Sequence, residues 1–400
     1  MRGRFFIGAI LLIGAVLAWN YLRSWPVIAA TTAVPAQSAV PGDPVALPWP
    51  SVGSAAVAVS GLGALGSTGN APATPTASVA KVMTALVILT DKPIKAGETG
   101  PTLTVTDADV QTYLSDREQQ QSVVAVSAGE QLTEFQALEG MLIPSGNNMA
   151  ETLARWDAGS ITSFVDKMNK RAKALGLKTT KFADPAGAST ESVSTPTELI
   201  TLGIAAMQQA AFAQIVVMTQ AELPVAGVVY NVDSVLGQAG IIGIKTGSGL
   251  KEGANFLFAA AIMIGPHPVT MYGCVMGQPT LAAAFNAAKA LVIAMKAGLT
   301  VKKVLIKNQT VGAYDTTWGQ RADVIATTDV DLVEWPGMIL RQRLDAPVLK
   351  IDGPLPAGTR AGTLHVVLGA YVLDVPVVTD TALYPPGKFW RVTRLPWSNS

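Results

Sequence analysis

The apolar pattern opens with an unbroken run from Phe5 to Trp19, preceded by Arg2 and Arg4. A basic start followed by such a run is the layout of a secretory signal. Asn20, Tyr21 and Leu22 extend it toward the roughly 20 residues that a membrane span needs. Trp19, Tyr21 and Trp25 then suit the outer interface. No clean Ala-x-Ala site follows, the nearest small-residue cluster being Ala29-Ala30. Residues 1–25 are therefore read as a signal peptide or N-terminal membrane anchor, the uncleaved anchor being favoured. A buried core helix would show a polar face, and this one has none.

The pattern breaks at Pro26. Residues 26–50 hold six prolines and no Lys or Arg, which predicts an extended linker reaching about 75 Å at the polyproline rise. Globular patterning begins at Ser51. Ala55–Val59 reads as a first strand. Ser78–Thr90, Glu134–Leu142, Asn148–Trp156 and Ile161–Leu175 read as helices. Gly240–Lys245 and Ala254–Ile264 read as strands joined by a Gly-rich turn, and Pro279–Ala297 returns to helix. From Gly298 onward Val301–Tyr314 alternates loosely, and Leu364–Val378 is rich in Val and Leu between Gly and Pro turns. No helix is predicted there. The expectation is an α+β or α/β domain over 51–298 and a small β-rich domain over 299–400, the latter a spacer or protein-contact surface.

Composition narrows the chemistry. The 400 residues are 49% hydrophobic, with 29 Lys+Arg against 28 Asp+Glu. That balance offers no electrostatic case for nucleic acid. The single cysteine, Cys274, forbids an internal disulfide and reads as a buried hydrophobe. His267 and His365 are the only histidines, so neither a metal site nor a cofactor is expected. A Ser-His-Asp hydrolase needs a positioned imidazole, and both histidines read as structural.

Three short motifs carry chemistry. In Thr76-Ala77-Ser78-Val79-Ala80-Lys81, Ser78 and Lys81 share a helix face one turn apart, with Thr76 or Ser78 as a candidate cap. Burial against Val82, Met83 and Leu86 would favour a neutral amine able to take the hydroxyl proton. A helix start also offers free N–H groups to a developing oxyanion. Ser145-Gly146-Asn147 places a hydroxyl and an amide on a Gly turn. Lys245-Thr246-Gly247-Ser248 ends a predicted strand, where backbone groups pair with an extended peptide and Gly247 permits close approach. A second Ser-x-x-Lys, Ser248 to Lys251, shows that the first motif alone is weak. The order of the three, at gaps of 67 and 100 residues, is the serine β-lactamase and penicillin-binding-protein pattern.

With these residues the chain resembles the serine-type D-alanyl-D-alanine carboxypeptidases, the low-molecular-mass penicillin-binding proteins of peptidase S11 type. Gly140–Asn148, Phe164–Thr179 and Gly243–Gly247 add to the resemblance, which covers residues 51–298. It implies a serine β-lactamase/transpeptidase-like fold and removal of the terminal D-alanine from peptidoglycan stem peptides through an acyl-enzyme that penicillin also forms. It implies Ser78 as nucleophile, Lys81 as base and Ser145, helped by Asn147, as proton relay to the leaving group. Lys245 and Thr246 would bind the terminal carboxylate, with Gly247 beside them. The N–H groups of Ser78 and Ser248 would form the oxyanion hole. It implies an extracytoplasmic location at the membrane, with β-lactams as covalent inhibitors.

Two departures stand out. Asn148-Met149 follows the second motif where the family commonly has Asp-Ala. Gly277–Ala288 contains no basic residue, where the family often carries an arginine for the carboxylate. A class A β-lactamase would need a Glu-x-x-Leu-Asn, and Glu151, Glu191, Glu198 and Glu222 all lack it. A sensor that acylates without turnover is the remaining alternative. The tail Lys388-Phe389-Trp390-Arg391, with Arg394, Pro396 and Trp397, reads as ordinary packing rather than a membrane surface.

Overall fold

The computed structural model describes residues 2–95, 97–249 and 253–394, with side chains from Ile7 onward. Lys251, Pro396 and Trp397 lie outside the described residues. The chain divides into two compact units, Val45–Leu299 and a second built from Met1–Pro44 together with Thr300–Ser400.

The Val45–Leu299 unit is built on a five-stranded antiparallel sheet. Its order is Ile241–Gly249, Gly253–Ile264, His267–Gln278, Ser54–Val59, Gly63–Ser67. Side chains alternate across a sheet, and the Gly253–Ile264 strand shows it. Leu257 and Ala259 join the main core, while Phe256 meets Phe285 of the Leu281–Gly298 helix edge-on at 5.0 Å. Cys274 is buried on the same face as Leu257, and burial pushes its thiol well above the ordinary range. The helices predicted from periodicity are Glu134–Leu142, Asn147–Ala158 and Ile161–Ala174. Three further helices, Asp107–Glu118, Pro196–Met207 and Ala210–Val216, complete the helical cluster.

The helix read from Ser78 starts differently. Ala77–Ala80 is a 3-10 turn, and the α-helix runs Lys81–Asp91. Neither Thr76 nor Ser78 caps it. The Thr76 hydroxyl instead bonds the Ser192 carbonyl at 3.2 Å. The helix is completely buried over Lys81–Leu89, so packing holds it rather than a capped end.

The other unit carries a seven-stranded sheet ordered Ala30–Thr32, Thr310–Asp315, Arg321–Ala326, Tyr371–Thr379, Arg360–Leu368, Ile339–Asp345, Gln37–Ala39. Both edge strands come from the stretch expected to be a linker, and Val27–Ile28 pairs with Leu349–Lys350. Residues 27–39 are therefore sheet, not an extended spacer. Pro26 precedes the first short strand and Pro35 falls between Ala30–Thr32 and Gln37–Ala39, where no ladder donor is lost. Only four residues separate Thr32 from Gln37, so the five steps between them reach about 18 Å at most. Six inter-strand gaps of roughly 4.8 Å would exceed that if flat, so the sheet curls its edges toward each other.

A short helix, Lys388–Thr393, appears where none was predicted. It packs on the end of the Arg2–Leu22 helix. Asn20 donates to the carbonyls of Val392 and Arg394, at 3.0 and 2.9 Å. Arg394 answers with bonds to the Asn20 and Ser24 carbonyls. Arg391 stacks on Tyr21 and Trp25.

Candidate active site

Ser78 sits half-buried in the 3-10 turn. Ala77 before it has φ +47°, a left-handed conformation costing on the order of 1 kcal/mol for a residue with a Cβ. Its neighbours hold it there. Asn255, buried on the Gly253–Ile264 strand, donates to the carbonyls of Pro75 and Thr76 at 3.0 and 3.1 Å.

Lys81 is fully buried, and its Nζ lies within hydrogen-bond distance of three oxygens: Ser78 Oγ at 2.8 Å, Asn147 Oδ1 at 2.6 Å and the Ala186 carbonyl at 3.0 Å. Burial holds its pKa well below the ordinary lysine range. The charge of Lys245 adds to this, while Asp184 and Asp116 oppose it. Burial alone shifts a lysine by several units, and here it outweighs the two carboxylates.

The second motif meets the first through that bond to Asn147. Ser145 is buried with φ +66°, so the turn is strained at the residue that carries the hydroxyl. Gly146 leads into the Asn147–Ala158 helix without a side-chain cap. A Cβ there would lie 2.8 Å from the Gly140 carbonyl. The turn is thus more than a helix cap. Asn147 donates its amide to Gln121 Oε1, which leaves Oδ1 facing Lys81. Asn148 pairs with the backbone of Val124 in both directions at 2.9 Å, so an amide does structural work at this position.

The third motif lies on the Ile241–Gly249 strand. Lys245 and Thr246 are buried, and Ser248 is exposed opposite Ala254. Burial brings the Lys245 pKa down to about 7 against the pull of Asp233. Asp233 is pushed up to about 6, also by burial, and its Oδ2 has no hydrogen-bond partner. Gly247 crosses the nucleophile's turn. A Cβ on it would sit 2.8 Å from the Thr76 carbonyl and 3.2 Å from the Ser78 nitrogen. The three motifs, spread over 167 residues from Ser78 to Lys245, converge on Ser78 and Lys81.

Asp116, Asp184, Asp233, Gln121 and Asn255 were not anticipated. No local motif marks them except the Asp-Pro-x-Gly turn at Asp184–Gly187, because each acts through contacts made only in the folded chain.

A serine and a buried lysine on one turn, beneath an antiparallel sheet edge with a helical cluster beside it, define a penicillin-binding, β-lactamase-like serine protein. The model of the D-alanyl-D-alanine carboxypeptidase family matches residues 65–279, more than half of the chain. The chain belongs to that family. It is 34% identical over 191 residues to D-alanyl-D-alanine carboxypeptidase DacB2 of Mycobacterium tuberculosis, covering 46% of this chain and 61% of that one. To DacF of Bacillus subtilis it is 43% identical over 70 residues, 18% of each chain. A D-alanyl-D-alanine endopeptidase of Pseudomonas aeruginosa is 33% identical over 132 residues, 33% of this chain and 39% of that one. These matches span less than two thirds of each relative's length. A crystal structure of a Streptomyces DD-transpeptidase superposes with TM-score 0.55 at 26% identity, over 62% of this chain and 99% of that one. DacD of Francisella tularensis shares the fold, with TM-score 0.60 at 18% identity over 87% and 96%.

Proposed function

We propose that the chain is a serine D-alanyl-D-alanine carboxypeptidase that trims peptidoglycan stem peptides outside the cytoplasmic membrane. The observation that carries this reading is the set of three oxygens around Lys81 Nζ. A neutral amine has two hydrogens and one lone pair. Asn147 Oδ1 and the Ala186 carbonyl can only accept, so they take the hydrogens. The lone pair then faces Ser78 Oγ.

From there the steps follow the geometry. Ser78 attacks the carbonyl between two D-alanines as Lys81 takes its proton. The oxyanion forms against the N–H groups of Ser78 and Ser248. Ser145 passes a proton to the departing D-alanine, and water hydrolyses the acyl-enzyme. A β-lactam acylates the same serine. Lys245 and Thr246 receive the substrate's terminal carboxylate. With no arginine in Gly277–Ala288, Lys245 carries much of that attraction. Its pKa near 7 means that charge is lost as pH rises through neutrality, so KM for the peptide is expected to climb above pH 7. A KM flat from pH 6 to 9 would count against Lys245 in this role.

The Arg2–Leu22 helix is read as a retained anchor holding the exported chain at the membrane's outer face. Its last turn is bonded into the folded chain through Asn20 and Arg394. Intact mass of protein extracted from membranes checks this. A chain beginning after residue 25 refutes it.

The decisive test labels wild type, Ser78→Ala and Lys81→Ala with a fluorescent penicillin and measures D-alanine release from a D-Ala-D-Ala peptide. Labelling and release that both vanish in Ser78→Ala are expected, with losses of roughly a thousandfold or more in Lys81→Ala. Because an endopeptidase and a DD-transpeptidase are among the similar proteins, an added amine acceptor is included. Transfer to it in place of hydrolysis would make the chain a transpeptidase. Labelling without release or transfer would make it a sensor.

A further inference from the structure

The loop from Asp184 to Ser192 is built around one carboxylate. Asp184 Oδ1 accepts the N–H groups of Ala186 and Ala188, at 2.8 and 3.0 Å. Its Oδ2 accepts the Ser189 N–H at 2.9 Å and the Ser192 hydroxyl at 3.2 Å. Four donors on one side chain fold the loop into a fixed shape. That shape is pressed onto the nucleophile's turn. The Thr84 hydroxyl donates to the Pro185 carbonyl at 2.6 Å, and the Thr76 N–H donates to the Ser192 carbonyl at 2.8 Å. At Gly187, φ +74°, a Cβ would fall 1.9 Å from the Ala77 carbonyl, so only glycine lets the loop lie this close. Between these fixed points the Ala186 carbonyl reaches Lys81 Nζ.

We propose that Asp184 is a positioning residue for acylation: by folding this loop it sets the Ala186 carbonyl that holds one hydrogen of Lys81, and so turns the amine's lone pair toward Ser78. The proposal rests on the reading of Lys81 as the base. Asp184 touches no reacting atom and acts through Ala186. It also acts through its charge. The groups facing Lys81 are Lys245 from the sheet edge, Asp116 from the Asp107–Glu118 helix and Asp184 from the loop. Without Asp184, Lys245 is opposed by Asp116 alone and the ammonium form of Lys81 is less favoured. Acylation requires the neutral amine, so its rate rises with pH as Lys81 deprotonates. Losing Asp184's charge moves that rise to lower pH.

The test is the second-order rate of labelling by a fluorescent penicillin from pH 5 to 10. It compares full-length wild type, Asp184→Asn and Ser192→Ala, each with a melting curve. Asp184→Asn keeps one accepting oxygen for Ala186 and Ala188. It is expected to fold, to label roughly tenfold more slowly at its plateau, and to begin its rise at lower pH. Ser192→Ala removes one donor and keeps the charge. It is expected to lower the plateau and leave the rise in place. An Asp184→Asn plateau and rise matching wild type would overturn the proposal. So would a uniform loss with an unmoved rise, which a plain loop defect gives. Wild type that fails to label would instead sink the function itself, whereas labelled wild type with an indifferent Asp184→Asn sinks only this inference.

Discussion

At the scale of single residues, glycine and amide positions shape the surroundings of Ser78 and Lys81. Gly247 is the clearest case, because the atoms that a side chain would strike, the Thr76 carbonyl and the Ser78 nitrogen, are backbone and cannot rotate away. Gly247→Ala is expected to part the strand from the nucleophile's turn and slow penicillin labelling by roughly 100-fold, with a folded protein by circular dichroism. Wild-type labelling would show that the turn yields. The motifs were legible because each packs its chemistry into three or four consecutive residues. Gln121 and Asn255 were not, because their partners Asn147 and Thr76 lie 26 and 179 residues away, and Asp184 was not, because it reaches Lys81 only through Ala186, 105 residues from that lysine. In sequence they are ordinary polar residues, and only the fold gives them an object.

Among elements, periodicity served best where one face is buried and the other wet. Ile161–Ala174 was read to within a residue, since Phe164, Met168 and Ala172 repeat at helical spacing. It served less well at the nucleophile, where burial on all sides hides the 3-10 start. The Glu134–Leu142 helix shows a conflict that no pattern reveals. Glu134 stands in the first turn, where the helix end favours a negative charge by about 0.3–1 kcal/mol. Yet it is fully buried, neither oxygen has a partner, and burial raises its pKa to about 7 despite nearby Lys92. Burial therefore wins. Since the folded state holds this proton more tightly than the unfolded one, stability falls as pH rises from about 4.5 to 7. Glu134→Gln is expected to raise the melting temperature at pH 8 by about 5 °C and to change little at pH 5. Equal effects at both pH values would mean that Glu134 is not the source.

For the whole molecule, the reading of two globular parts meets a chain that returns on itself. The β-rich unit needs residues 27–39 for both edges of its main sheet. Prolines disguised those strands, because three-residue strands flanked by proline look like linker. A chain starting at Val45 is therefore expected to label with penicillin as before. Its residues 300–394, with two bare sheet edges, should be digested by a protease at concentrations that leave the full chain intact. Equal resistance would show that the N-terminal strands are dispensable.

That return has a consequence for how the protein comes into being. A chain synthesised from its N-terminus presents residues 27–39 early and their partners at 310–350 late, with the 255 residues of the other unit in between. The two edge strands must wait, unpaired, while a complete second body emerges and folds. Joining them afterwards closes a very long loop, a slow step by its entropy. The interval before it is when this protein is most exposed to wrong partners.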